Sequence, residues 1–127
     1  IAKKSIKEVS YHVRFTGDWV KRLGDGTETS HAKMQEAIDG LWTYTNELFE
    51  VTGDAKIMAE QGIGIDVSTL KDTYYEKVTS LLEEATIEIP ESKYFQKGGK
   101  SGIHTEHMGY LLADMQYMQR AYPNMKW

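Results

Sequence analysis

Small and apolar residues recur near the start of the chain at alternating intervals of four and three: Ala2, Ile6, Val9, Val13, Thr16, Val20 and Leu23. At 3.6 residues per turn they fall in one stripe, which predicts a helix from about Ala2 to Leu23. Gly24-Asp25-Gly26 ends it, since glycine is favoured just past a helix C-terminus. Asp25 and Glu28 have capping-box spacing, with Thr27 as the other N-cap candidate. A second stripe, Met34, Ile38, Leu41, Thr45 and Leu48, predicts a helix from about Thr27 to Phe49. The short link makes the pair an αα-hairpin.

Val51 to Ile65 reads as a connector, with a short helix over Asp54–Gln61 closed by Gly62. Asp66 or Ser68 caps a third long helix carrying Leu70, Tyr74, Val78, Leu81 and Ala85 on one side. Thr86 to Pro90 is extended, because proline forbids helix across it. "ESKYFQKGGKSG" is a loop. A last helix is expected from about Ile103 to Ala121, with His104, Met108, Leu111, Met115, Met118 and Tyr122 in line and Pro123 as its stop. No alternating strand pair or repeat interrupts this pattern, so the class is all-α.

Composition narrows the chemistry. The 127 residues are 40% hydrophobic and carry a net charge of -4, an ordinary globular balance with no pull towards nucleic acid. There is no cysteine, so disulfides, thiolate metal sites and cysteine nucleophiles are excluded. No apolar run approaches the roughly twenty residues that span a bilayer, and no signal-peptide pattern opens the chain. A cytoplasmic protein with no membrane partner is expected. The sequence opens on Ile1 and reads as already helical there. The expectation is one helical domain over 1–127, lacking N-terminal helices, with the face that packed on them laid bare.

Three stretches invite a chemical reading. Gly99-Lys100-Ser101 resembles the end of a phosphate loop, but the motif's first glycine falls at position 94, where Tyr94 stands. The bland reading, a solvated surface loop charged by Lys97 and Lys100, is preferred. His104, Glu106 and His107 crowd four residues, yet Glu106 points about 200° away from His104 on a helix. Two histidines are too few for a closed metal site, and Glu106 suits the helix N-terminus. Glu28-Thr29-Ser30-His31 has the Glu-x-x-His form of di-iron bundles, but Glu28 reads better as a cap. On the first helix Val9 and His12 share the inward side. Valine cannot ligate a metal, which leaves His12 as a lone inward histidine.

The motifs "KEVSYH", "DWVKRLGDGTE", "GLWTYTNELFE" and "GGKSGIHTEHMGYLLADMQYMQRAYP", with the closing Trp127, resemble the C-terminal half of the structural subunits of phenylacetyl-CoA 1,2-epoxidase, over essentially the whole chain. The resemblance implies a ferritin-like helical bundle that pairs with a homologous catalytic partner bearing a di-iron centre. It implies a complex that epoxidises the ring of phenylacetyl-CoA with oxygen and electrons from a separate FAD and iron–sulfur reductase. The catalytic sister subunits carry Glu-x-x-His where this chain has Val9-Ser10-Tyr11-His12. Val9 and His12 are then vestigial metal-site positions, and no catalytic, cofactor or metal role carries over. Glu8, one residue away, is turned about 100° round the helix. Trp19, Trp42, Tyr44, Tyr74, Tyr75 and Tyr117 are candidates for a partner interface, because aromatics carry much interface energy; some of them are equally good core residues. Two other readings stay open. One is a ferritin-like protein with its own di-iron site, drawing on His12 and an acid such as Glu8. The other is a plain helical scaffold with an unrelated partner.

Overall fold

Thr27 shows how closely local chemistry sets the first turns. Its hydroxyl accepts from Ser30 N at 3.2 Å, and its own N–H donates to Ser30 Oγ at 2.9 Å, a reciprocal cap that starts the second helix. Asp25 is instead the C-cap of the first helix, its N–H bonded to Lys21 O. The computed structural model describes residues 1–126; Trp127 lies outside them. Among the described residues six α-helices follow in order: α1 (Ala2–Gly24), α2 (Glu28–Leu41), α3 (Gly53–Glu60), α4 (Lys71–Glu84), α5 (His107–Met115) and α6 (Tyr117–Ala121). Short 3-10 helices span Trp42–Phe49, Val67–Leu70 and Gly99–Ser101. No strand occurs among the described residues. The all-α class is as expected and consistent with a ferritin-like bundle. No helix among the described residues is long and apolar enough to cross a membrane.

The chain forms two compact units, Ile1–Gln96 and Lys97–Trp127. In the first, α1 and α2 pack as a hairpin, and α4 lies against α1. Gly17 meets Leu81, Lys21 pairs with Glu84, and Gly24 meets Ala85. Residue numbers rise together along this contact, so α1 and α4 run in the same direction. They close most tightly at their C-terminal ends. A Cβ on Gly24 would stand 2.3 Å from Ala85 O, so only glycine allows that approach.

Two helices end in the same way. Gly62 (φ 69°) closes α3, with Gly62 N bonded to Ala59 O and Ile63 N to Met58 O. Thr86 (φ 58°) closes α4, with Thr86 N bonded to Glu83 O and Ile87 N to Leu82 O. Both are Schellman caps, and the second carries its usual hydrophobic contact, since Leu82 and Ile87 are both buried. A β-branched residue at positive φ is strained. Thr86 offsets part of this by donating its hydroxyl to Gly24 O at 3.3 Å. Beyond it the extended segment is clamped by Gln35, whose amide donates to Glu88 O and accepts from Glu88 N, both at 2.9 Å.

The core comprises Trp42, Leu82, Ala85 and Ile87, with Val20, Met34, Ile38, Tyr75, Val78 and Phe95 packed around it. This corrects two expected stripes. On α4 the buried line runs through Tyr75, Val78, Leu82 and Ala85, while Leu81 serves the α1 contact. The helix touches neighbours on two sides, so its apolar surface is wider than one stripe. The second helix stops being α-helical at Leu41, where a helix to Phe49 was expected. From Trp42 the chain tightens to 3-10 winding, Thr45 returns its hydroxyl to Trp42 O at 2.8 Å, and Thr43 O accepts from Gln96 N. Burying Trp42 turns Leu41 and Leu48 outward. Asp66 caps the turn before α4 by accepting from Ser68 N and Ser68 Oγ at 2.9 and 2.6 Å. Those two hydrogen bonds hold its carboxyl below the ordinary aspartate range.

In the second unit, Gly98 and Gly102 both sit near φ 90°, and Ile103 N returns to Gly98 O at 2.9 Å. The Ile103 side chain folds onto Gly98, where a Cβ would lie 2.8 Å from its Cδ1. This closed turn delays the last helical segment, which begins at His107, where Ile103 was expected. It is broken at Gln116 (φ -97°, ψ 2°) into α5 and α6.

Candidate functional site

Val9 and His12, expected as vestigial metal positions, lie on the first two-thirds of α1. Val9 and Val13 are 55% and 66% exposed, and His12 is exposed where an inward histidine was expected. The helix is 23 residues long against 14 for both α2 and α4, so its N-terminal stretch extends past the elements that cover its C-terminal end. His12 has ring contact only with its neighbour Tyr11, edge-on at 5.9 Å among the described residues. An iron pair needs several carboxylates and imidazoles to converge. No three His, Asp or Glu side chains do so among the described residues. His12 and Glu8 therefore gain no third convergent ligand among the described residues.

The other candidates resolve into structure. His31 turns Nδ1 to Gly24 O at 2.8 Å, which binds the first turn of α2 to the end of α1. Nδ1 carries the proton in that bond, because a carbonyl only accepts. The expected cap role of Glu28 falls to Thr27 and Ser30. Glu106 occupies the N-cap position of α5 without a side-chain cap bond, and His104 precedes the helix, exposed. The Gly98–Ile103 turn closes on itself and opens no helix of α5's length at the motif, so it lacks the strand–loop–helix frame of a phosphate loop.

The six interface candidates divide. Trp42 is a core residue, 7% exposed, and Tyr75 packs beside it, its hydroxyl donating to Asn46 Oδ1 at 3.2 Å. Tyr74 is half-buried in a cluster with Phe49 and Tyr75, and desolvation, then the neighbouring Tyr75, raises its phenol pKa. Trp19, Tyr44 and Tyr117 are exposed. Tyr11 and Phe15 were absent from the expected set. They stand two turns and one turn before Trp19, a four-residue spacing that was visible in the sequence. Between α1 and α4 runs an open groove of about 750 Å³, floored by Val13, Gly17, Val78 and Leu81.

Over residues 1–127 the chain matches the family described as phenylacetic acid catabolic protein, and it belongs to that family. It is 44% identical, over all 127 of its residues, to a 1,2-phenylacetyl-CoA epoxidase subunit, the one designated C, from Escherichia coli (strain K12). It covers 51% of that protein, so the chain spans about half the length of the curated relative it matches.

Proposed function

We propose that the chain is part of a non-catalytic structural subunit of a phenylacetyl-CoA epoxidase, which pairs with and stabilises a di-iron catalytic subunit. The carrying observation is the 44% identity, unbroken by any uncovered part of this chain, to a protein named as a subunit of that enzyme. Two features support the reading. The valine at position 9 replaces a possible ligand, and α1 presents apolar residues that its own unit leaves uncovered. On this reading the iron sits on the catalytic partner, FAD and the iron–sulfur cluster on the reductase, and phenylacetyl-CoA reaches this chain only through the complex. The protein works in the cytoplasm.

The test is co-purification of the full-length subunit with the other oxygenase subunits of its source, with iron measured on each chain. A stable complex with iron confined to the partner is expected. Two iron atoms per copy of this subunit, purified alone, would overturn the proposal in favour of a self-contained di-iron protein.

A further inference from the structure

A ladder of aromatic rings runs along α1 at four-residue intervals. Tyr11 and Phe15 stack with centroids 5.8 Å apart and planes 22° apart; Phe15 meets Trp19 edge-on at 6.4 Å. All three are about half exposed. Arg14 lies over the Tyr11 ring at 5.9 Å, and Arg22 over the Trp19 ring at 5.7 Å. Tyrosine, tryptophan and arginine are the residue types in which binding energy concentrates. Single exposed aromatics need no explanation, but three in succession with guanidinium groups over the first and last form a strip. Pairs at i, i+4 add only a few tenths of a kilocalorie to a helix, which does not account for three large rings in solvent.

Charge distinguishes the occupant. The helix holds six Lys and Arg against two Asp and Glu, whereas the rest of the chain holds nine against seventeen. A basic helix has thus been set in an acidic protein. Its acids, Glu8 and Asp18, border the same strip, and of its bases only Lys21 is ion-paired among the described residues, to Glu84. Arg14 and Arg22 each lie over a ring, and guanidinium groups are the side chains best suited to bidentate recognition of carboxylates. We propose that the Tyr11–Phe15–Trp19 ladder, flanked by Arg14 and Arg22, docks an acidic protein partner that presents an apolar strip edged by carboxylates. The inference rests on the subunit reading and names that partner's chemistry: it is another subunit of the complex.

The test measures binding of the full-length subunit to the separately purified oxygenase subunits of its source by titration calorimetry, at about 50 and 500 mM NaCl, because screening separates charge from packing. Arg14→Glu with Arg22→Glu is expected to weaken binding at least about 10-fold at low salt, with a smaller loss at high salt. Phe15→Ala with Trp19→Ala is expected to weaken it about 30-fold at both salts, as for central interface anchors. Unchanged circular dichroism melting is expected in both variants; a lowered melting temperature assigns the strip to packing within the full-length subunit and sinks the inference. Wild-type affinity in both variants sinks the inference and leaves the subunit reading standing. So does loss, by the same substitutions, of binding to phosphatidylserine vesicles or of self-association, with subunit binding intact. No binding by the unaltered protein sinks the subunit reading, and the docking strip with it.

Discussion

The two ends of α1 are made of the same helix and do opposite things. Its last two turns are locked. Gly17 admits Leu81, Gly24 admits Ala85, and the Gly24 carbonyl accepts from both His31 and Thr86. Its first four turns carry Ile6, Val9 and Val13 with more than half their surface in solvent, and Tyr11 and Phe15 of the aromatic ladder besides. Apolar content does not separate the ends; the C-terminal end is held by the close approach at Gly24. Small residues let backbones meet, and a meeting of backbones fixes a helix more firmly than a row of branched side chains with nothing opposite. One end of α1 anchors the unit Ile1–Gln96, and the other is left uncovered by it.

The sharpest way to break the contrast is Gly24→Ala. The new Cβ has a backbone oxygen 2.3 Å away, which cannot swing aside, and overpacking of that kind costs about 3 kcal/mol. Urea denaturation should show the loss; a change under about 0.5 kcal/mol would mean the two helices are not in contact in solution. Gln35→Ala comes next. It strips both partners from the Glu88 backbone, and a cost of about 1–2 kcal/mol is expected in the same assay.

Asp66→Asn tests the entry to α4 through pH. The folded carboxyl is held below its unfolded value by Ser68, so its contribution is present above the ordinary aspartate range. It is lost as pH falls through the depressed value. The wild-type protein should therefore lose melting temperature in acid more steeply than the variant; parallel curves would remove the cap from the account. The smallest effect is expected at the bare end, where Val9→Thr should change stability by no more than about 0.5 kcal/mol. A cost above about 1 kcal/mol would show that this end is covered in solution.

Much of the candidate site was legible because its signals are local. Tyr94 in place of a glycine argued against a phosphate loop, and the spacing of His104, Glu106 and His107 argued against convergence. The valine at position 9 was likewise readable without coordinates. The aromatic candidates were less so. Trp42 and Trp19 both lie on helical turns, and nothing local says that one is core and the other surface. That division depends on where the helix from Thr27 tightens, and the tightening follows from burial of Trp42 against Leu82 and Ile87, forty and more residues away.

The sequence by itself determined the all-α class, the start of α2 at Thr27, the closure of α3 by Gly62 and the family to which the chain belongs. These depend on periodicity, on side chains that cap their own neighbours, and on the rare freedom of glycine. Only the tertiary structure decided which face of α4 is buried, that a threonine could take a glycine's place at position 86, and that α1 is locked at one end and bare at the other. Those outcomes rest on contacts between residues far apart in the chain, which pattern along the chain does not encode.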